Sequence, residues 1–202
     1  MINKKGSAIN ELLIVLVLCL ILSVILLCLI LKRVKEEQFR TLKNDLDIFI
    51  NSSTVYSIEN DTNIISLKEL VDEKIISQIK DPFNKSTTCD LYESRIERND
   101  NEVISTLKCG DYLITKNESN KNIIYKVDDW NEKNNSNSNV KIGYNYIKNG
   151  KLVFDDYYED YMFLYLFNKH NNTSYQSISN IPQNYNIINQ VFYRKLTKIK
   201  EI

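Results

Sequence analysis

Glycine, proline and histidine are scarce in this chain, with 4 glycines, 2 prolines and 1 histidine among 202 residues. A glycine-rich phosphate-binding loop and a histidine-based metal cluster therefore have no candidate segment, and no nucleophile elbow occurs. The formal net charge is zero, because 26 basic residues balance 26 acidic ones. Nucleic-acid-binding domains usually carry a basic patch and a high isoelectric point, so no direct nucleic-acid partner is predicted. No motif indicates an enzyme, a cofactor or a metal site.

Charge is absent from one long segment. Leu12–Leu31 contains 20 residues without a glycine, a proline or a charged side chain. As a helix this segment would be about 30 Å long, which is the thickness of the hydrocarbon core of a bilayer. A soluble helix of that length would show a polar face. The segment predicts a single membrane-spanning helix, and a cleaved secretory signal is disfavoured because no small-residue cleavage site follows before Lys32.

The residues ahead of this segment form a recognisable pattern. Lys4-Lys5-Gly6 is followed by Ser7-Ala8-Ile9-Asn10-Glu11 and then by the apolar run. This resembles the N-terminus of type IV prepilins and pseudopilins, in which a membrane peptidase cuts after the glycine and methylates the new amine. The resemblance implies a cut between Gly6 and Ser7, methylation of Ser7, and an assembly contact at Glu11, the fifth residue of the mature chain.

Two positions depart from the common family pattern. Ser7 stands where the family usually has an aromatic residue, and Asn10 where it usually has an apolar one. The apolar run also lacks the helix-loosening glycine or proline often found in major pilins. These differences favour a minor pilin or a pseudopilin. The resemblance implies a structural subunit of a type IV pilus, a competence pseudopilus or a type II secretion-like system, not an enzyme.

Glu11 needs a partner, because an ionisable residue at the edge of a membrane helix is costly unless it is paired. The amine created on Ser7, in the same chain or in a neighbour, would supply one. Such an ion pair fixes register more than it adds stability, since leaving either charge alone is strongly penalised. The alternative is that Glu11 lies at the membrane interface of an uncleaved single-pass anchor that carries an extracytoplasmic binding module.

The implied partners are the membrane, prepilin peptidase, other pilin-like subunits and assembly platform proteins. We expect the C-terminal part to lie outside the cell membrane. The positive residues after the apolar run, Lys32, Arg33 and Lys35, slightly favour the opposite orientation. The very short N-terminal segment and the cysteine pair described below favour the outside placement.

The predicted fold is α+β, with a long spine helix packed on a small antiparallel sheet. The predicted divisions are a leader at 1–6, a spine helix at 7–52, a pilin-like head at 53–130, a linker or surface loop at 131–139 and a C-terminal α+β extension at 140–202. The spine continues beyond the membrane because Phe39, Leu42, Leu46 and Phe49 recur at helical spacing. We expect it to end near Asn51-Ser52-Ser53.

A second helix is predicted to begin after Ser66, because Ser66 and Glu69 have the spacing of a capping box. Its expected buried face includes Leu67, Leu70 and Ile76, and it should end before Asp81-Pro82 because proline disfavours helix in the preceding residue. Further strands are predicted at Tyr112–Ile114 and Ile123–Trp130.

Cys89 and Cys109 flank a predicted hairpin, with strands at 89–97 and 101–109. Placing Cys89 opposite Cys109 also sets Leu91 against Leu107, a favourable cross-strand pair. This register predicts a disulfide, which requires an oxidising compartment. Free thiols and a metal site are the alternatives, the latter disfavoured because no histidine lies nearby. Cys19 and Cys28 lie within the apolar run and are expected to act as unpaired small apolar residues.

The C-terminal third gives weaker signals. Asn149-Gly150 predicts a hairpin turn, and the tyrosine-rich segment after Asp155-Asp156 predicts a buried helix. Helix is slightly preferred over strand at 187–199. Helix capping is the favoured role for the acidic residues Asp155, Asp156, Glu159 and Asp160, with calcium binding as the alternative. His170 is expected to be exposed.

Overall fold

The structure is a computed structural model that describes residues 4–99, 102–116, 121–129, 131–134, 143–148, 151–155, 160–182, 190–193 and 196–202. Only the backbone is described for 4–10, for 160–163 and for the strands between 131 and 193. Three helices and ten strands occur in these residues: α1 (Lys4–Asn60), β1 (Ile64–Ser66), α2 (Leu67–Asp72), β2 (Arg95–Asn99), β3 (Glu102–Cys109), β4 (Tyr112–Lys116), β5 (Asn122–Val127), β6 (Asn131–Asn134), β7 (Gly143–Lys148), β8 (Lys151–Asp155), α3 (Asp160–Asn171), β9 (Gln190–Tyr193) and β10 (Leu196–Glu201). The predicted α+β class is confirmed.

Two compact units divide the chain, one ending at Thr41 and the other beginning at Leu42. We call the second unit the head. Helix α1 is unbroken across this boundary and spans 57 residues. Its last part belongs to the head, where Leu42, Leu46 and Phe49 are fully buried. The predicted apolar stripe is therefore a core-facing stripe.

Helix α1 ends at Asn60, so the predicted end near Ser53 is wrong. Serine and threonine often stop helices because their hydroxyls compete for backbone groups. Here Ser53, Thr54 and Ser57 each donate to a carbonyl three or four residues earlier, so their hydroxyls are satisfied inside the helix. The chain leaves the helix one residue later, at Asp61, where φ is +50°.

The main sheet of the head has six antiparallel strands in the order β1-β2-β3-β4-β5-β10. One face carries a row of fully buried aliphatic residues, one from each of the five strands β1 to β5: Ile65, Ile96, Leu107, Ile114 and Ile124. Arg98 follows Ile96 on that face and bonds to α1, which places the helix there. The other face carries a smaller cluster of Leu113, Ile123, Tyr125 and Val127, against which Leu196 packs.

The C-terminal residues complete this sheet, which corrects the predicted layout. Strand β10 pairs with β5, and β9 pairs with β6, in nearly the same antiparallel register. Strands β6 to β9 and helix α3 thus form an insertion in the sequence between β5 and β10, which are neighbours in the main sheet. The predicted helix at 187–199 is wrong, because strand pairing outweighs the weak helical spacing there. The linker predicted at 131–139 begins as strand β6, and its remainder lies outside the described residues.

The insertion contains the predicted hairpin. Strands β7 and β8 pair antiparallel, with Lys148 opposite Lys151, so two residues connect them, as Asn149-Gly150 predicts. Strand β7 also pairs with β9, in parallel, and completes a four-stranded sheet in the order β6-β9-β7-β8. The residues of the predicted C-terminal extension therefore contribute β10 to the main sheet and β7, β8 and β9 to the four-stranded sheet.

Helix α2 begins as predicted and ends much earlier than predicted. Ser66 and Glu69 form a complete capping box, with the Ser66 side chain accepting from Glu69 N and the Glu69 carboxylate accepting from Ser66 N. The helix stops at Asp72 because Lys74 takes a φ of +58°. Lys74 N donates to Val71 O and Ile75 N to Leu70 O, which is the Schellman arrangement. Ile76, expected to be buried, lies beyond the helix and is half-buried.

Lys74→Gly is expected to stabilise the head by about 0.5–1 kcal/mol, because glycine adopts a positive φ without the penalty of a side chain. Chemical unfolding of the detergent-solubilised chain measures the change. Lys85→Gly provides the matched control, since Lys85 is also exposed and lies in a turn without a positive φ. There glycine only adds freedom to the unfolded chain and should lower stability. An equal response at both positions would contradict the strain argument.

The hairpin at the cysteines is present with a different register from the one predicted. Strand β2 begins at Arg95, which lies opposite Thr106, so Leu91 does not face Leu107 on a paired strand. Residues 91–93 form a turn that takes up the difference. Asp90 N donates to Lys108 O before the turn, and Lys108 N donates to Ser94 Oγ after it. Cys89 thereby reaches Cys109 although the strands are offset by three residues.

Candidate functional site

The N-terminal motif lies within helix α1. The helix begins at Lys4, so Gly6 and Ser7 are in its first turns, where backbone N–H groups have no helical acceptor. Glycine inside a helix costs about 1 kcal/mol relative to alanine, which makes Gly6 a weak point of this turn. Glu11 follows Ser7 by four residues, which puts the two on the same helix face about 6 Å apart along the axis.

The apolar segment after Glu11 is exposed along its whole length. In the described part of the chain, α1 is the one helix long and apolar enough to cross a membrane, with a mean hydropathy of 3.6 and none of that window buried. Cys19 and Cys28 are free, as predicted, and both are exposed. Ser23 Oγ donates to Cys19 O at 2.8 Å, which satisfies the hydroxyl within the helix. The segment has the length and apolar character of a membrane-spanning helix.

The outward face of α1 in the head is unusually free of charge. Ile48, Val55 and Ile58 are 53, 57 and 79 % exposed. Asn44, one turn before Ile48, and Asn51, between Ile48 and Val55, are exposed at the same helical spacing. We call these five residues the outer stripe. Single exposed apolar residues are ordinary, but a helical row of them in a chain with 26 % charged residues is typical of a contact surface.

Arg98 holds the end of α1 to the sheet. One terminal nitrogen of its guanidinium donates to Ile50 O at 3.3 Å, to Ser53 Oγ at 3.2 Å and to Thr54 Oγ1 at 2.5 Å. Burial lowers the pKa of Arg98 below its ordinary value, although an arginine remains protonated at any physiological pH. Sequence reasoning missed this residue, because one arginine in a predicted hairpin turn carries no signal of a long-range contact.

Arg98→Met is expected to lower the stability of the head by about 1–3 kcal/mol, because it removes charge-assisted hydrogen bonds and keeps the aliphatic stem. The loss should be accompanied by faster hydrogen exchange in the last turns of α1. Arg40→Met is the matched control. Arg40 forms an ion pair with Glu37, and both side chains are more than half exposed. The free energy of unfolding should therefore change by no more than about 0.5 kcal/mol. Equal losses in the two variants would contradict the role given to Arg98.

Cys89 and Cys109 form the predicted pair, with their Sγ atoms 1.92 Å apart and their Cα atoms 4.1 Å apart. Both are buried. Gly110 follows directly with a φ of +52°, and a Cβ there would lie 2.6 Å from Asp81 Oδ2. Asp81 is itself buried, where it accepts from Phe83 N and from Thr87 Oγ1. The disulfide thus joins strand β3 to the loop at 81–90 where the backbone of both is tightly packed.

Helix α3 attaches to the turn next to this disulfide. Tyr165 donates its hydroxyl to Asp90 Oδ2 at 2.5 Å, and its ring stacks on Tyr92 at 4.8 Å. Asp90 Oδ1 also accepts from the backbone N–H groups of Tyr92 and Glu93, which fixes the turn. Lys169 Nζ lies 3.9 Å from the Glu93 carboxylate, whose side chain is 2 % exposed. The tyrosine-rich helix is therefore used for packing and docking, in line with the prediction that it is buried.

A groove of about 1100 Å³ lies between the start of α2 and the C-terminal half of α3. Its floor includes Ile64 and Ser66, which alternate with the buried Ile65, so the groove is on the sheet face away from α1. The Tyr92–Tyr165 pair and Lys169 line one side. Sequence reasoning did not find this groove, because its walls come from segments about a hundred residues apart.

Two further sequence predictions concern His170 and the acidic residues at 155–160. His170 is exposed, as expected. The side chains of Asp155, Asp156, Glu159 and Asp160 lie outside the described part of the chain, so helix capping stays the prediction there and calcium binding the alternative. Elsewhere, no group of three histidine, cysteine or acidic side chains in the described residues is placed to hold a metal.

Comparisons with protein-family models, with curated proteins and with solved structures found no match to this chain.

Proposed function

We propose that this chain is a pilin-like structural subunit that is cut between Gly6 and Ser7 and assembles through helix α1. The observation that carries the proposal is the continuity of α1. A basic leader ending in glycine runs without a break into an unburied apolar segment, and the same helix then packs on an antiparallel sheet. An ordinary membrane anchor has no need for a helix that supplies both its apolar span and part of the core of its head.

The placement of Glu11 supports an assembly role. Cleavage would create an amine on Ser7, one helical turn from the Glu11 carboxylate and on the same face. The same amine can reach the Glu11 of a neighbouring subunit if two such helices lie side by side. In either arrangement the two charges neutralise each other in apolar surroundings, where an unpaired charge would be strongly penalised.

The outer stripe and the disulfide support the proposed location. The outer stripe would give neighbouring subunits an uncharged surface on the head. The disulfide favours an oxidising, extracytoplasmic head. We propose a minor pilin or pseudopilin of a type IV pilus, a competence pseudopilus or a type II secretion-like system, with prepilin peptidase, other pilin-like subunits and assembly platform proteins as partners.

Mass spectrometry of the mature N-terminus tests the proposal. Expressed together with a prepilin peptidase, the chain should begin at Ser7 and carry one added methyl group. Gly6→Val should keep its first six residues, because the peptidase acts after glycine. Ala8→Val, a similar change two residues away, should still be processed. A wild-type chain that keeps Met1, or that starts at a residue other than Ser7, would overturn the proposed function.

A further inference from the structure

Five Asn-X-Ser/Thr triplets, in which X is not proline, lie within the described residues. Such a triplet is the acceptor pattern for N-linked glycosylation. The transferase has to bind the asparagine amide and the hydroxyl two residues later, so both groups must be exposed, unengaged elsewhere and close together. The triplets begin at Asn51, Asn60, Asn84, Asn171 and Asn172. Their surroundings in the structure differ, and they favour one triplet over the other four.

Three of the triplets have their side chains engaged elsewhere. The triplet at Asn51 lies within helix α1, and its Ser53 is fully buried and donates its hydroxyl to a backbone carbonyl of the helix. Asn60 and Asn171 each donate their amide nitrogen to the backbone carbonyl four residues earlier, at 3.0 Å. The threonine hydroxyls of these two triplets are hydrogen-bonded as well. A transferase would have to break these contacts before it could bind the three triplets.

The triplet at Asn172 is exposed, but its two reactive positions are not brought together. Asn172 directly follows helix α3 and has a φ of +52°. Thr173, the middle residue, donates both its backbone N–H and its hydroxyl to Asn168, at 2.9 Å each. Among the described contacts, no hydrogen bond joins the side chains of Asn172 and Ser174. This triplet is therefore fixed in a left-handed turn with its asparagine and its hydroxyl apart.

The triplet Asn84-Lys85-Ser86 lies in the loop between helix α2 and the disulfide, where residues 84–88 are all exposed. Asn84 Oδ1 accepts from Ser86 Oγ at 2.6 Å and from Ser86 N at 3.2 Å. This Asx turn sets the amide and the hydroxyl side by side. Asn84 Nδ2 donates to none of the described residues. The nitrogen that would carry a sugar is thus exposed and unengaged, next to the hydroxyl that the transferase also has to bind.

The ends of this loop are held in place, which keeps the triplet at the surface. Asp81 is buried and accepts from Phe83 N and from Thr87 Oγ1. Thr87 N donates to Asn84 O at 3.0 Å and closes the turn. The Phe83 ring packs on Tyr112 of strand β4, with ring centroids 4.2 Å apart. The loop therefore presents its exposed tip from an anchored base.

We propose that Asn84 is an acceptor site for an N-linked oligosaccharide, with an oligosaccharide on a lipid pyrophosphate as the donor. Asn84 Nδ2 attacks C1 of the first sugar, so that a nitrogen–carbon bond forms while the bond from C1 to the pyrophosphate oxygen breaks. Nδ2 loses one proton to a base of the transferase, and the lipid pyrophosphate leaves with the electron pair of the broken bond. The inference rests on the extracytoplasmic head of the proposed function and not on cleavage or assembly.

Glycosylation of the full, folded, detergent-solubilised chain tests this inference. The chain is incubated with a lipid-pyrophosphate oligosaccharide and a purified oligosaccharyltransferase that glycosylates a synthetic peptide of residues 80–88. Peptide mass spectrometry should find a glycan on Asn84 and none on the other four triplets. Reducing and unfolding the chain beforehand should make further triplets reactive, because the fold no longer engages them. A folded chain without a glycan on Asn84, or one modified equally at another of the five triplets, would overturn the proposal.

Variants locate the site. Asn84→Gln and Ser86→Ala should each abolish the glycan, whereas Ser86→Thr keeps the hydroxyl and should retain it. Asn172→Gln is the matched control, since it makes the same change at an exposed asparagine of another triplet, and it should leave the glycan on Asn84 unchanged. Thermal unfolding shows whether each variant is folded. A glycan on Asn84 that persists in Ser86→Ala, or that is lost in a folded Asn172→Gln, would contradict the assignment.

Expression in cells that carry this transferase on the outer side of the membrane separates the inference from the proposed function. The same mass spectra report the glycan on Asn84 and the N-terminal residue of the chain. A chain that starts at Ser7 without a glycan on Asn84 would overturn the inference and leave the proposed function intact. A chain that keeps Met1 and carries the glycan would overturn the proposed function and support the inference.

Discussion

Glu11→Val should abolish assembly of this chain with pilin-like subunits while leaving its insertion into the membrane intact. Valine makes the start of the apolar segment more hydrophobic, so insertion should not suffer. Assembly should fail because the amine on Ser7 would be carried into apolar surroundings without its counter-charge. Breaking a buried ion pair on one side costs about 3–5 kcal/mol, which corresponds to a loss of roughly 100-fold or more in association.

Co-purification with the other subunits, compared with membrane fractionation of the same cells, measures the two effects separately. Glu37→Val is the matched control, since it also removes one exposed carboxylate from α1 but lies beyond the apolar segment. It should leave assembly unchanged. Glu11→Asp keeps the charge and should retain part of the function. If Glu11→Val assembles like the wild type, the chain is better described as an uncleaved anchor with an extracytoplasmic binding module.

The sequence predictions that the structure confirms rest on local patterns in the sequence. The uncharged run from Leu12 to Leu31 indicates an apolar helix of membrane length without any tertiary information. Ser66 and Glu69 specify a helix start because both halves of the capping box lie within four residues. The pair of Asn149 and Gly150 likewise specifies a two-residue connection between strands.

The features that sequence reasoning missed depend on long-range pairing. Residues 187–199 have apolar spacing compatible with a weak helix, but β10 forms because β5 offers it a free sheet edge. The predicted ends of α1 and α2 differ from the observed ends for a related reason. Arg98 bonds to Ser53 and Thr54 at the expected end of α1, and Lys74 accepts a left-handed conformation that composition does not reveal. The groove between α2 and α3 cannot be predicted from the sequence, because its walls meet only where Tyr165 stacks on Tyr92.

The disulfide gives the largest expected change in stability. Cys89 and Cys109 are 20 residues apart in sequence, and closing a loop of this size stabilises a protein by about 3 kcal/mol in the chain-entropy model. Replacing both by serine should therefore lower the free energy of unfolding by about that amount, and the midpoint of thermal unfolding by roughly 6–12 °C. Cys19→Ser and Cys28→Ser are the matched controls, because these cysteines are free and exposed.

The loss should also be local, and this distinguishes the structural account from a general destabilisation. Cys89 precedes Asp90, which accepts the hydroxyl of Tyr165 and two backbone N–H groups of the turn. Without the disulfide the turn is less constrained, so amide exchange should accelerate first in 90–94 and in α3, ahead of the exchange in β4 and β5. Non-reducing peptide mapping must show the Cys89–Cys109 link in the wild type. If mapping finds both thiols free, or if the serine variant unfolds like the wild type, neither the stabilisation nor the extracytoplasmic placement drawn from this pair holds.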